Sequence, residues 1–372
     1  MKYYIIAGEA SGDLHGSNLI KQLKQLNPEA SIRSWGGDLM QQSGSEVVKH
    51  YKELAFMGFA EVIMNLPTIL QNIAFCKKDI EAFKPDVLIL IDYPGFNLRI
   101  AEWAKKNKYK VVYYISPQVW AWKENRVKMI KKVVDKMIVI LPFEKSFYED
   151  KWQYKVDYVG HPLVQVVDDF IRKEKSDYIY TKPIIALLPG SRKQEVTVKL
   201  PVMLEAAKSF PQYQFLVAKA ASLDEKVYQG ILKDFPFAGT VANDTYNLLS
   251  QSVAALVTSG TATLETALFN VPQVVCYKGS FISYQIAKRL VKIKFISLVN
   301  LIMDKQVVKE LIQQDFNVKN VVKELDDVLH DEKKIADIKT NYADLKNLLA
   351  KDGNASSKAA EIIVNLASIS LQ

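Results

Sequence analysis

The chain has 372 residues, of which 49% are hydrophobic and 24% charged, a balance that excludes a disordered or fibrous protein and leaves room for two packed domains. Its two cysteines, Cys76 and Cys276, stand far apart and exclude a disulfide framework or a cysteine-based zinc site. The net charge of +8 fits a solvated surface with spare lysines, or an anionic partner such as a phosphorylated substrate, an acidic membrane surface or nucleic acid; no zinc-finger spacing or RNA-binding sheet signature points to the last of these.

The chain opens on MKYYIIAGEASGD, which lacks the long apolar core and cleavage site of a secretory signal. It reads instead as a first strand, in keeping with a reducing cytoplasm. Short Val- and Ile-rich runs at residues 3–7, 87–91, 111–115 and 137–141 predict buried strands, with helix-length segments at 17–26, 60–83 and 97–108. That alternation predicts a parallel sheet covered by helices on both faces. The most apolar stretch, 54–75, is broken by Glu61, Asn65, Pro67, Gln71 and Asn72, short of the ~18 apolar residues of a membrane span. The charge-rich stretch 172–182 marks the boundary to a second series. Its strands are predicted at 184–188, 214–217, 253–257 and 273–277, and its helices at 196–208, 244–250 and 262–269. After residue 302 no strand signal is visible. The chain there reads as all-helical and ends on a helix at 355–367 with one small, apolar face.

The candidate chemistry stands where strands end. In GEASGD (8–13), Gly8 and Gly12 permit close backbone approach or positive φ, and the helix start beyond offers N–H groups to an anion. The pattern is neither a dinucleotide fingerprint nor a P-loop, and a tight turn capped by Ser11 or Asp13 fits it as well. Glu9, at a strand's carboxyl end, should face a cleft. Asp92 ends an apolar strand in IDYPGFN. Desolvation there raises a carboxyl pKa and suits a general base, while the loop N–H groups before Pro94 offer it a purely structural role. SPQVWAWK brings Trp120 and Trp122 together with Lys123, and Arg126 follows, as a pocket wall or as packing around a helix cap. In LPGSR, Gly190, Ser191 and Arg192 precede a helix opened by Glu195 and could meet a diphosphate. TSGTATLE sets Ser259, Gly260 and Thr261 at another helix start, with Glu265 a turn further on, within reach of a ribose. N-capping accounts for the hydroxyls but leaves Glu265 without a role.

The stretch 281–298 interleaves Tyr284, Lys288, Arg289, Lys292 and Lys294 with apolar residues. That suits an acidic membrane surface or a phosphorylated lipid, and equally an ordinary amphipathic helix. Asn300, Glu310 and Gln313 follow. No Asp-x-Asp occurs, which argues against single-domain metal-dependent sugar transfer. His15, His50, His161 and His330 have no metal-ligand spacing, and no Gly-x-Ser-x-Gly elbow suggests a hydrolase. His161, in Gly160-His161-Pro162, reads as structural.

In this order, GEASGD (8–13), IDYPGFN (91–97), SPQVWAWK (116–123), LPFEKSFY (141–148), VGHPL (159–163), LPGSR (188–192), TSGTATLE (258–265), AKRLVK (287–292) and the run from ISLVNLI to VKELIQ (296–313) resemble the lipid-A-disaccharide synthases, glycosyltransferase family 19 of Gram-negative bacteria. The resemblance covers most of the chain. Val299 stands where the family's S-L-P-N segment has proline, and Gln118 where serine is common. The resemblance implies an α/β fold of GT-B architecture, two Rossmann-like lobes with a cleft between them and C-terminal helices crossing back to the first lobe. It implies an acceptor-binding lobe at 1–172, a UDP-sugar-binding lobe at 183–350, and a helix at 351–372 on the N-terminal lobe. The implied reaction is an inverting transfer without metal or cofactor. UDP-2,3-diacylglucosamine condenses with 2,3-diacylglucosamine 1-phosphate (lipid X) to give lipid A disaccharide 1-phosphate and UDP. The implied location is cytoplasmic, peripheral on the inner membrane, with a homo-oligomer left open.

On that basis Asp92 is expected to be the base, with Glu9 the next candidate, and Arg192 to offset charge on departing UDP. Ser11, Gly12, Trp120, Gly190, Ser191, Ser259, Gly260, Thr261, Glu265, Asn300, Glu310 and Gln313 are expected to bind substrate, and Lys288, Arg289 and Lys292 to touch the membrane. The rival readings are another GT-B UDP-sugar enzyme (a 2-epimerase or a peptidoglycan-type transferase) and a non-catalytic nucleotide-sugar binding protein. A Rossmann dehydrogenase would need a glycine fingerprint that is missing.

Overall fold

The computed structural model describes residues 1–54, 66–173, 180–220, 223–279, 294–351 and 353–368. The chain divides into two compact units, residues 1–162 with 350–372, and residues 163–349.

The first unit carries β1 (Lys2–Ala7), α1 (Ala10–Leu26), β2 (Ser31–Gly36), α2 (Asp38–Gln42), β3 (Glu46–His50), α3 (Leu66–Phe83), β4 (Val87–Ile91), α4 (Pro94–Lys106), β5 (Lys110–Tyr114), α5 (Val127–Val133), β6 (Lys136–Val139), α6 (Pro142–Ser146) and β7 (Asp157–Tyr158). Its sheet is parallel throughout, in the order β3-β2-β1-β4-β5-β6-β7. Central β4 is VLILI with every residue buried, as a strand covered on both faces requires. The hydroxyl of Tyr4 donates to Asp79 at 2.6 Å and accepts from Trp35 Nε1 at 2.9 Å, so these three buried side chains of β1, α3 and β2 satisfy one another.

The second unit begins with α7 (Pro162–Arg172). It continues through β8 (Ile184–Leu188), α8 (Lys193–Ala207), β9 (Gln214–Lys219), α9 (Glu225–Leu232), β10 (Ala238–Ala242), α10 (Thr245–Ser250), β11 (Ser252–Thr258), α11 (Thr261–Leu268), β12 (Gln273–Tyr277), α12 (Leu298–Met303), β13 (Lys309–Ile312), α13 (Val318–His330) and α14 (Glu332–Ala350). Its sheet is also parallel, ordered β10-β9-β8-β11-β12-β13. The last helix, α15 (Ala355–Ser368), belongs to the first unit. It buries Ala355, Ala359, Ala360, Ile363 and Ala367, and its small side chains let it pack closely on α1.

Both sheets are doubly wound. From β1 the chain winds outward through β2 and β3, then returns to β4 and winds the other way. From β8 and β11 the second sheet does the same. Such sheets open a crevice at the carboxyl ends of the two strands flanking the reversal. Four of the sequence motifs follow those four strands: GEASGD after β1, DYPG after β4, PGSR after β8 and SGT after β11.

Two expectations need correcting. The chain after residue 302 is not all-helical, because Lys309–Ile312 pairs in parallel with β12. That strand is Lys-Glu-Leu-Ile, too short and too charged to announce itself, and an existing sheet edge recruits it. Helix α1 begins at Ala10 rather than residue 17, which puts Ser11, Gly12 and Asp13 in its first turn. His15 and His161 meet edge to face with ring centroids 6.3 Å apart. Burial lowers their pKa values to about 4 and about 3, so both are neutral packing groups.

Candidate active site

At the reversal of the first sheet, Asp92 and Tyr93 follow β4 with φ of 43° and 47°, both left-handed although neither is glycine. Such positions cost of order 1–3 kcal/mol and persist only where neighbours enforce them. The Asp92 carbonyl accepts from Asn97 Nδ2 at 2.8 Å and from the Tyr113 hydroxyl at 2.5 Å. The Tyr93 ring lies against Gly8, where an added Cβ would sit 2.3 Å from the ring, and stacks on Phe96 at 5.6 Å. Glycine at position 8 therefore serves close approach. The strained turn presents the Asp92 carboxyl, whose pKa burial and the nearby Glu9 charge push up to about 7. Glu9, the N-cap of α1, has extended backbone and does not cap the helix with its side chain. Ser11 is partly buried, and Gly12 packs on Ala7. Asp13 accepts from the backbone N–H groups of Gly37, Leu39 and Met40 and ties α1 to α2.

The Trp120 indole donates to Glu144 Oε1 at 3.2 Å. Glu144 is buried and also accepts from the Ile140 and Leu141 amides at 3.2 and 2.9 Å. Burial raises its pKa to about 7, against those hydrogen bonds, and Asp92 adds to the rise. Sequence reasoning gave Glu144 no role. Its place at a helix start after Leu141-Pro142 was visible, but its contact with Trp120 was not.

In the second unit, Gly190 has φ of +118°, and a Cβ there would lie 2.3 Å from Glu195 Oε2. Glu195 Oε2 accepts the Ser191 amide at 3.2 Å, while Oε1 lies 4.0 Å from Arg192 and 3.8 Å from Lys199. Arg192 is 55% exposed. Lys199 is buried, donates to Thr258 Oγ1 and lies 5.8 Å from the Tyr277 ring centre. It too was missed, because nothing local marks a helical lysine as buried. The Gly190→Ala variant is expected to lose about 2 kcal/mol of stability through strain at a glycine-only φ. Chemical denaturation checks it, and an unchanged midpoint would show that the turn relaxes freely.

After β11, Ser259 Oγ donates to the Ile296 carbonyl at 2.8 Å, Gly260 has φ of +146°, and Thr261 opens α11. A turn into that helix, Glu265 accepts from the Tyr246 hydroxyl at 2.7 Å beside Phe170 and Phe269. Burial raises its pKa, and the Tyr246 hydrogen bond opposes the rise. Asn300 is held within the protein. Its Nδ2 donates to the Val308 carbonyl at 2.8 Å and Glu310 Oε1 at 2.9 Å, and its Oδ1 accepts from the Val307 and Val308 amides at 2.8 and 2.9 Å. All four of its side-chain hydrogen-bonding positions are filled by Val307, Val308 and Glu310, so the side chain holds this loop in place. Glu310 also holds that loop, accepting from the Ile296 and Ser297 amides and the Ser297 hydroxyl. Gln313 has φ of 56°, and its buried Nε2 has no partner among the described residues. Lys288, Arg289 and Lys292 lie outside the described residues.

Two parallel, doubly wound Rossmann-like sheets with glycine turns and carboxylates at each reversal define the GT-B class of sugar-nucleotide enzymes. Solved structures agree on the fold. The chain is similar to the glycotransferase of kitacinnamycin, with a TM-score of 0.68, 11% identity and coverage of 98% and 99% of the two chains. It is also similar to UDP-GlcNAc 2-epimerase from Neisseria meningitidis bound to UDP-GlcNAc, with a TM-score of 0.65, 14% identity and coverage of 98% and 100%. At those identities the likeness is one of fold alone.

Sequence comparison is more specific. The family model for lipid-A-disaccharide synthetase matches residues 3–365. The chain is 40% identical to the lipid-A-disaccharide synthase of Syntrophus aciditrophicus over 97% of each, and 38% identical to that of Geobacter metallireducens over 97% of this chain and 96% of the relative. The chain belongs to the lipid-A-disaccharide synthetase family and is a glycosyltransferase of lipid A disaccharide synthesis.

Proposed function

We propose that the chain transfers 2,3-diacylglucosamine from its UDP conjugate to the 6-hydroxyl of 2,3-diacylglucosamine 1-phosphate with inversion, as a peripheral enzyme of a cytoplasmic membrane face. The first unit receives the acceptor and the second grips UDP. The observation that carries this reading is the strained Asp92 turn, which fixes a carboxyl with a pKa near 7 at the end of a central strand. A base poised near the working pH is half neutral and half ready to take a proton. Asp92 accepts the acceptor's hydroxyl proton as that oxygen attacks the sugar C1. The transition state has oxocarbenium character and charge builds on the departing UDP. Arg192 and the turns at Gly190–Ser191 and Ser259–Thr261 stabilise that charge, and Glu265 holds the ribose. Exposed Leu70 and Phe75 on α3 support contact with a lipid surface. Among the described residues no helix is long and apolar enough to cross a membrane.

Mass spectrometry of the product tests the reading, since a disaccharide 1-phosphate should form from the two monosaccharide lipids. The Arg192→Ala variant is expected to weaken UDP binding about 10–100-fold, the worth of one charge-assisted contact. Titration calorimetry with UDP would count against the assignment if wild type and variant bound equally.

A further inference from the structure

Two cations on the loop after β5 have no acidic partner among the described residues. Lys123 Nζ lies 4.3 Å and Arg126 Cζ 5.9 Å from the centre of the Trp122 ring, so both charges converge on one indole. Trp122 is 43% exposed, high for so large an apolar side chain. Among the described residues neither cation forms an ion pair with a carboxylate. Glu124, the acid beside them in sequence, is engaged elsewhere, by Lys151 Nζ at 2.6 Å and Trp152 Nε1 at 3.0 Å. Burial lowers the Lys123 pKa, and the neighbouring Arg126 charge lowers it further. Lys123 also takes a left-handed φ of 55°, a strain that a non-glycine residue meets at a cost. Two like charges held together, one of them on strained backbone and neither with an acidic partner among the described residues, make a place prepared for an anion from outside.

Their location narrows the anion. Burial and the Asp92 charge push the Tyr113 hydroxyl far up, and the Arg126 charge pulls it back, so Arg126 lies within electrostatic reach of Tyr113. That hydroxyl is the one that donates to the Asp92 carbonyl. Trp120, two residues before Trp122, is tied to Glu144, which in turn senses Asp92. Strand β5 pairs in parallel with β4, with Ile91 opposite Tyr114, so the loop that carries both cations leaves the sheet at the same edge as the Asp92 turn.

We infer that Lys123 and Arg126, gathered on Trp122, form a subsite for the phosphate monoester of the acceptor. The inference rests on the proposed function, in which the acceptor has its attacking hydroxyl on C6 and its phosphate on C1. A guanidinium fork and a flexible ammonium together suit a dianionic monoester: the first fixes its orientation and the second adds charge. Anchoring that end of the acceptor sets the 6-hydroxyl against Asp92, so the phosphate selects the acceptor and positions it. A phospholipid headgroup offers the same chemistry, and the test separates the two sources.

UDP release is measured for wild type and for the Lys123→Gln, Arg126→Gln double variant, each with 2,3-diacylglucosamine 1-phosphate and with the same lipid lacking phosphate. Wild type is expected to prefer the phosphorylated acceptor. The double variant is expected to lose roughly 100-fold in kcat/KM on that acceptor, about tenfold for each charge-assisted contact removed, with an unchanged KM for the UDP-sugar and little change on the unphosphorylated lipid. A Lys123→Arg, Arg126→Lys exchange, which keeps both charges, should retain the preference. An equal loss on both acceptors, or no loss, would overturn the subsite. So would a variant that keeps its phosphate preference and loses only its sedimentation with phosphatidylglycerol vesicles, which would assign the pair to a membrane headgroup. Wild-type inactivity with both acceptors would overturn the transferase reading and the subsite with it.

Discussion

Replacing Asp92 with Asn is expected to lower kcat about 10³-fold, within the range a positioned general base contributes, and at the same time to raise stability above neutral pH. The two effects have one cause. In the folded chain Asp92 holds its proton to about pH 7, whereas an ordinary aspartate releases it near 3.8. Between those values the folded state binds the extra proton, so stability falls as pH rises through the window, and above it the ionised carboxylate is a standing cost. An amide does not ionise and escapes that cost. Asn also tolerates the left-handed φ of 43° at this position better than most residues. UDP-release kinetics and thermal melts at pH 8 read the two effects separately. A variant that is both inactive and less stable would mark Asp92 as a structural residue, and Glu9 would become the candidate base. The same pKa gives wild-type kcat/KM a limb that falls with acidity below about pH 7, because the protonated carboxyl cannot accept the acceptor's proton.

The Glu310→Ala variant is expected to lose about 3 kcal/mol of stability. Glu310 Oε1 alone accepts from Ser297 N, Ser297 Oγ and Asn300 Nδ2 at 2.9, 2.7 and 2.9 Å. Oε2 accepts from the Ile296 amide at 3.0 Å. Hydrogen bonds to a charged acceptor contribute about 1.5–3 kcal/mol each, and a buried donor left without a partner costs about 1–3 kcal/mol. Local relaxation and water entry offset part of the sum, because Glu310 is only partly buried. The melting temperature should fall by roughly 6–12 °C, at about 2–4 °C per kcal/mol for a unit of this size. Glu310→Gln, which keeps an acceptor oxygen, should fall by less. An unchanged melting temperature with a raised substrate KM would instead place Glu310 in direct contact with substrate, the role its motif first suggested.

Strands β1, β4, β5, β6, β8, β9, β11 and β12 were legible because buried parallel strands are nearly continuous apolar runs, as VLILI in β4 shows. The edge strands and β2, next to one of them, were not. β3 is half-buried, and β13 mixes Lys and Glu into four residues, so neither carries a periodic signal. The turns at Asp92, Gly190 and Gly260 were legible because strand ends and glycines mark them directly. Contacts between distant segments were not. Tyr246 reaches Glu265 from a helix on another strand connection, and Glu144 reaches Trp120 across 24 positions in the chain. The contacts of Asn300 were hidden for the same reason. An asparagine after a helix-capping serine looks available for a ligand until the fold closes Val307, Val308 and Glu310 around it.

The central claim is tested most directly by UDP release from the purified protein given UDP-2,3-diacylglucosamine, with and without 2,3-diacylglucosamine 1-phosphate. A transferase with Asp92 as its base should release UDP only when the acceptor is present, and faster as pH rises through 7. Equal release without acceptor, or none with it, would contradict the assignment.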